Sequence, residues 1–322
     1  MKSSSEEQSK NMKKIPIVVI VGPTASGKTD LSVKLAKKLN AEIISADSMQ
    51  IYKNMHIASA AVDEDEKDGI PHHLLEFLEP TESFSVADFV KLAAERIDDI
   101  NGRGKAVVIV GGTGLYINSL VDNVTFSEEP SSEALRAELT EKFDRIGGQA
   151  MLEELRAFDP DSADRLHPNN KKRIIRAFEI YLSTGITMTR QLKESRLNDS
   201  PYEPFMIGLS FSDRELLYER INLRVDKMLE KGLLSEAEAA YKSRNAATAS
   251  QAIGHKELFP YFSGDATLSE AVEGLKASTR RYAKRQLTWF RRDERINWIY
   301  RDETEDATSA ALEILERNGY FE

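Results

Sequence analysis

Eight residues, Gly22-Pro23-Thr24-Ala25-Ser26-Gly27-Lys28-Thr29, constrain this chain more than any others. They follow the pattern G-x-x-x-x-G-K-[ST], a glycine-rich turn that joins a buried strand to a helix. The flanks supply both partners. Ile15–Val21 (IPIVVIV) is an apolar, β-branched run of strand length, and Asp30–Leu39 (DLSVKLAKKL) reads as a helix. Glycines let the backbone curl so that its N–H groups converge on an anion, and the helix N-terminus adds partial positive charge. Gly22, Pro23, Thr24, Ala25, Ser26, Gly27, Lys28 and Thr29 therefore form a polyphosphate cradle. Lys28 would reach the outer phosphates and the Thr29 hydroxyl would bind Mg²⁺. The plain alternative is a chance glycine turn, which the flanking strand and helix argue against. The motif specifies a polyphosphate but neither which one nor its fate.

Strand and helix alternate beyond the loop. Helix Asp30–Leu39 leads to strand Glu42–Ala46, helix Ser85–Ile100 and strand Ala106–Val110. Such alternation predicts a P-loop NTPase-like α/β fold, a parallel sheet flanked by helices on both faces. Ligands of these sheets sit at the carboxyl ends of the strands. Three strand ends carry polar or glycine-rich residues: the loop at Gly22, the segment Ser45–Gln50, and Gly111-Gly112-Thr113-Gly114. All three are expected to converge on one cleft. From about Asn123 to Asn198 strand character stops, and three helices are expected near Ser132–Arg145, Gly148–Phe158 and Pro168–Leu182, with Gly185 as a stop. Strands resume at Phe205–Phe211 and Ile296–Tyr300. The division expected is a disordered tail over 1–13, a core of 14–122 and 199–322, and an all-helical insertion over 123–198.

With 322 residues the chain has room for one large domain or two smaller ones. The absence of cysteine excludes disulfides, thiolate metal sites and a cysteine nucleophile, and suits a reducing compartment. Met1–Lys14 has no apolar core and so is no secretory signal, and no apolar run reaches the ~20 residues that span a bilayer. The location expected is the cytoplasm, and nothing demands more than a monomer. A net charge of −9 argues mildly against nucleic acid, but binding depends on local patches. Bases cluster at Lys171–Arg176 and Lys276–Arg295.

Asp47 ends the second strand. It could ligate Mg²⁺, act as a general base, or simply cap a turn. Ser48, Met49 and Gln50 follow it, and Ser and Gln side chains suit reading a base or sugar edge. Thr113 brings a hydroxyl into the Gly111–Tyr116 turn, where glycines permit close backbone approach. Helix Asp213–Lys231 opens on Ser212-Asp213-Arg214-Glu215, which fits a capping box. Along it Arg220, Arg224, Lys227 and Lys231 form one basic stripe. The stripe is either a solvated face or, since a leaving diphosphate needs more than Lys28, part of its cradle. Lys172, Arg173 and Arg176 share an exposed face of the third insertion helix, with Ile174 and Ile175 turning mostly inward, which suggests phosphate-backbone contacts. Arg281, Arg285, Thr288 and Arg292 lie on another stripe, interleaved with Tyr282, Trp289 and Phe290. That mixture suits RNA, or equally core aromatics beside solvated bases.

Taken together, GPTASGKT at Gly22–Thr29, ISADSMQIY at Ile44–Tyr52, PHHL at Pro71–Leu74, GGTGLY at Gly111–Tyr116, DPDSADRLHPNNKKRIIRAFEI at Asp159–Ile180, QAIGHKE at Gln251–Glu257 and RRYAKRQLTWFRR at Arg280–Arg292 resemble the tRNA dimethylallyltransferases. The resemblance spans about Ile15 to Arg292. It implies transfer of a dimethylallyl group from dimethylallyl diphosphate to N6 of the adenosine 3′-adjacent to the anticodon of tRNA. Asp47 would take the N6 proton, and Thr113 would help position the reacting groups. Gly22–Thr29 with Arg220 and Arg224 would hold the diphosphate, with Mg²⁺ at Thr29. Asp47, Ser48, Met49 and Gln50 would meet the target nucleotide. Arg136, Lys172, Arg173, Ile174, Ile175 and Arg176, with Arg281 and Arg285, would meet the rest of the tRNA, and Gln251–Glu257 matches a further segment near the RNA. His255 stands where the family commonly has Tyr, Pro168–Lys172 is more basic than usual, and no zinc finger follows, as in the bacterial form. Two rivals share the phosphate loop: a small-molecule kinase, which leaves the insertion and its bases unexplained, and an adenylate isopentenyltransferase, which leaves the RNA-type segments unexplained. A third, an RNA-binding module regulated by its nucleotide loop, leaves Asp47 and Thr113 without a task.

Overall fold

The computed structural model describes residues 13–126, 132–195, 197–243 and 252–322. The expected tail, but for Lys13, and Gln251 of the QAIGHKE segment lie outside them. The described chain divides into two compact units, Met1–Val121 with Ser200–Glu322, and Asp122–Asp199.

The larger unit is built on six parallel strands: β1 (Ile15–Val21), β2 (Ala41–Ser45), β3 (His72–His73), β4 (Ala106–Gly111), β5 (Tyr202–Ser210) and β6 (Asn297–Tyr300), ordered β3-β2-β4-β1-β5-β6. The most apolar strand, β1, lies between β4 and β5, where both faces are covered. Its residues alternate between two cores. Ile17, Val19 and Val21 pack with α2 (Val86–Gly102), α3 (Gly114–Val121) and Phe290, whereas Val18 and Ile20 pack with α1 (Lys28–Leu39) and α8 (Ala307–Arg317).

The second unit holds α4 (Glu133–Arg156), a short helix Pro160–Arg165, α5 (Lys171–Thr184) and Met188–Glu194. Two expected helices appear as one, broken at Gly147, whose φ of 79° is left-handed. The third begins at Lys171 rather than Pro168 and stops on Gly185, at φ 72°. Ile174 and Ile175 are buried with Leu139, Met151, Leu155 and Phe178. They hold α5 in place and present no surface, which corrects their inclusion among RNA contacts.

Back in the larger unit come α6 (Arg214–Glu230) and α7 (Leu268–Phe290). The cap of α6 departs from expectation. Asp213, not Ser212, is the N-cap and accepts from the Glu215 N–H at 2.8 Å. Ser212 is drawn instead to Asp302, which accepts from its N–H (2.9 Å) and hydroxyl (2.6 Å). α7 does open on a capping box, Thr267 with Glu270.

Candidate active site

The three polar strand ends meet. A cavity of about 350 Å³ is lined by Thr24, Lys28 and Thr29, by Asp47–Gln50, and by Gly111 and Gly112. Close approach explains the glycines. A Cβ on Gly111 would stand 2.1 Å from the Ala46 carbonyl oxygen, and one on Gly22, at φ +143°, 2.3 Å from that of Leu209.

Asp47 serves its turn with one oxygen: Oδ1 accepts from the Met49 N–H at 2.9 Å and the Gln50 N–H at 3.4 Å. The turn reading and a chemical role therefore coexist in one carboxylate. Thr113 Oγ1 accepts from the Ser48 N–H at 3.0 Å and donates to Ser48 Oγ at 3.4 Å, tying the β2 and β4 loops together. The Gln50 amide is engaged within the protein, accepting from the Ser45 hydroxyl (2.9 Å) and donating to the Ala60 carbonyl (3.1 Å).

Lys28 donates to the Pro23 carbonyl at 2.7 Å. Burial first, then the like charge of Arg224, lowers its pKa from 10.5 to about 7, against the pull of Asp47. Burial likewise pushes Arg224 below its usual value, while Asp47 and Glu66 hold it up. Two desolvated cations side by side favour the binding of an anion. A second cavity of about 570 Å³ opens on the same Lys28, Thr29, Arg224 and Met228. It takes in the whole stripe of Arg220, Arg224, Lys227 and Lys231. Arg220 bonds the Ala25 carbonyl (3.1 Å) and covers the Phe211 ring, and Lys231 pairs with Asp63 at 2.8 Å.

Helix α7 supplies residues whose part was not expected. The buried Gln286 amide bonds both the phosphate loop and the Gly112 turn. Tyr282, one turn before it, lines the cavity; burial, then Asp47, raises its hydroxyl pKa well above the usual value, against the opposing influence of Arg285, Gln286 and Thr113. Arg285 lines the cavity with its guanidinium 5.6 Å from the Tyr282 ring, whereas exposed Arg281 bonds Ser278. The i, i+4 spacing of Tyr282 and Gln286 was the available signal. His255, in the place of the family's usual Tyr, is buried and bonds Glu236 at 2.9 Å; Glu236 in turn accepts from the Ile57 and Ala58 N–H groups. That brace fixes a turn lining both cavities.

On the second unit Lys172, Arg173, Arg176 and Arg136 are exposed. Arg136 and Arg176 share the buried Glu179, with Arg136 Nε at 2.6 Å and Arg176 Nη1 at 3.6 Å.

Among the described residues no cluster of three acidic, histidine or cysteine side chains could cage a metal. A Mg²⁺ ion does not need one: it keeps waters and takes one or two protein oxygens plus substrate phosphates. Thr29 on the wall of the cavity fits that donor set. No helix among the described residues is long and apolar enough to cross a membrane.

The IPP transferase family model matches residues 50–293. The chain is 50% identical over 290 residues to the tRNA dimethylallyltransferase of Bacillus subtilis (strain 168), covering 90% of this chain and 92% of that one. It is 50% identical over 291 residues to that of Anoxybacillus flavithermus, covering 90% and 91%. Among solved structures it is similar to the full-length tRNA isopentenylpyrophosphate transferase of Bacillus halodurans (44% identity, TM-score 0.70, 96% of each chain). It is also similar to a eukaryotic dimethylallyltransferase captured acting on tRNA (29% identity, TM-score 0.80, 95% of this chain and 79% of that one).

Proposed function

Since the chain belongs to the IPP transferase family, we propose that it transfers a dimethylallyl group from dimethylallyl diphosphate to N6 of the adenosine 3′-adjacent to the anticodon of tRNA, releasing diphosphate. The observation that carries this reading is a single cavity lined by the carboxylate of Asp47 and by the desolvated cations Lys28 and Arg224. A bond forms between N6 and the allylic C1 as the C1–O bond breaks, its electron pair leaving with the diphosphate. The N6 proton goes to Asp47, whose Oδ1 is fixed by the Met49 N–H. Lys28, Arg224 and the loop N–H groups stabilise the charge growing on the leaving diphosphate. Thr113, anchored on Ser48, positions the amine beside Asp47. Mg²⁺, held by Thr29 and substrate phosphates, would supply further charge neutralisation.

The adenine must leave its stack to enter such a cavity, which costs a few kcal/mol and requires that the rest of the RNA be gripped. The exposed bases Lys172, Arg173, Arg176 and Arg136 on the helical unit, with Arg281 and Arg285 on α7, suit that grip. A tRNA substrate implies action in the cytoplasm, and one chain holds every group the reaction uses, so we assign a monomer.

The test is transfer of label from dimethylallyl diphosphate with Mg²⁺ into unmodified tRNA, beside AMP and ATP controls. Label in tRNA alone is expected; label in AMP, or ATP consumption without label transfer, would overturn the reading. Asp47→Asn should lower transfer by ~100-fold or more, in the range of general-base removal, with tRNA affinity largely kept.

A further inference from the structure

We propose that Gln286 is a positioning residue that sets the spacing between the diphosphate cradle and the loops that receive the amine, a role that rests on the transfer reaction above. Its side chain is 5% exposed, and both ends of its amide are engaged. Oε1 accepts from the Thr24 N–H at 2.9 Å, and Nε2 donates to the Gly112 carbonyl at 3.0 Å. Thr24 lies in the cradle after β1, and Gly112 in the turn after β4, the strand paired with β1. The clasp is tight, because a Cβ on Gly112 would come within 2.2 Å of Nε2. The next residue is Thr113, bonded to Ser48 beside Asp47. One planar amide therefore spans from the group that holds the leaving diphosphate to the groups that handle the incoming amine.

The chemistry of the clasp is particular to an amide. It must accept from an N–H and donate to a C=O from adjacent atoms of one plane. A carboxylate keeps the shape and the acceptor but turns a second acceptor toward the Gly112 carbonyl, which forces the two loops apart. Displacement at C1 is sensitive to that spacing, since ~1 Å of misplacement lowers a rate by ~100-fold.

The full chain carrying Gln286→Glu is compared with the wild type across pH, using labelled dimethylallyl diphosphate and tRNA. At pH 8 kcat should fall by ~30- to 100-fold, while in the uncharged Gln286→Leu, which adds no repulsion, the Kd for inorganic diphosphate with Mg²⁺ stays within about threefold, since the rest of the cradle is intact. A protonated carboxyl regains a donor, so the ratio of variant to wild-type kcat should climb at least fivefold as pH falls toward about 5.5. The other charged or titratable groups lining the cavity with Gln286 are Lys28, Asp47, Arg224, Lys256, Tyr282 and Arg285; Gln286→Leu, which adds no charge, gives the pH dependence they contribute. Gln286→Leu should show the same loss with no recovery in acid, and it keeps the test alive if the charged variant does not fold. A kcat within threefold of wild type, a ratio flat in pH, or a loss lying wholly in diphosphate affinity would overturn the role. Wild-type transfer run alongside separates that failure from failure of the transfer reading itself.

Discussion

The pKa of Lys28 gives diphosphate binding a pH dependence that an ordinary phosphate-loop lysine would not show. Burial and Arg224 bring it from 10.5 to about 7. At that value half of the side chains carry a proton at pH 7 and about one in a hundred at pH 9. A bound diphosphate restores the ammonium, so binding takes up a proton wherever the free lysine lacks one. Affinity for dimethylallyl diphosphate should therefore fall by ~50-fold between pH 7 and 9, after the phosphates' own ionisation near pH ~6 is complete. Calorimetry at fixed Mg²⁺ in two buffers of different ionisation heat measures both quantities, with proton uptake near one-half at pH 7 approaching one at pH 9. Arg224→Gln removes the like charge, so its affinity, though weaker, should begin to fall only at higher pH. The same shift bears on stability. The unfolded chain holds this proton up to 10.5 and the folded chain only to about 7, so this group makes stability rise with pH across that window. Lys28→Met should accordingly melt higher than wild type at pH 7, with the gap closing above pH 10. Constant affinity from pH 7 to 9 without proton uptake would refute the reasoning.

Two further outcomes follow from charged side chains. Glu42, buried at the opposite end of β2 from the cavity, accepts two bonds from Arg103 (2.5 and 2.7 Å), one from Lys105 (2.8 Å) and pairs with His73 (2.8 Å). Arg103, then Lys105 and His73, hold its carboxyl well below the usual range despite burial, so its stabilisation persists at neutral pH and is lost only as pH falls below 4.5. Glu42→Gln should cost about 3 kcal/mol, read as a lower Tm at pH 7, with transfer at 25 °C unchanged. Lys172→Ala with Arg173→Ala should weaken tRNA binding without unfolding the helical unit. The slope of log affinity against log salt should then shrink by roughly 0.7 to 0.9 for each phosphate that the pair had neutralised; an unchanged slope would remove α5 from the RNA surface.

What could be read from the sequence was what local chemistry specifies. The glycine pattern and β-branched run defined β1, its loop and α1, because few sequences tolerate that turn. The alternation of elements was enough to bring Asp47, Lys28 and Gly112 to one cavity. What escaped depended on partners far along the chain. The Gln286 clasp joins residues 262 and 174 positions apart, and nothing near Thr24 or Gly112 announces it. Ser212 looked like a cap until Asp302, 90 residues on, drew it away. α3 does carry the helical pattern, since buried Tyr116, Ile117, Leu120 and Val121 fall on one face, but it is only eight residues long and follows directly on a glycine-rich turn. β3 is two residues long and exists only as a partner for Ile43 and Ile44.

A chain of net charge −9 built around anionic substrates is a matter of where its acids are used. Glu42 faces Arg103 and Lys105, Asp63 faces Lys231, and Glu179 faces Arg136 and Arg176. The first cavity, by contrast, is lined by Lys28, Arg224, Lys256 and Arg285 against the single carboxylate of Asp47. Such a concavity sets a local field opposite in sign to the chain as a whole, and the local field governs encounter with phosphates. The same cations then act on both sides of the proposed reaction. They speed departure of the diphosphate, and having done so they retain it, since it carries more charge free than when esterified. A lysine whose pKa is about 7 without the anion moderates that retention, because above this pH release of the diphosphate also releases a proton, which weakens the hold.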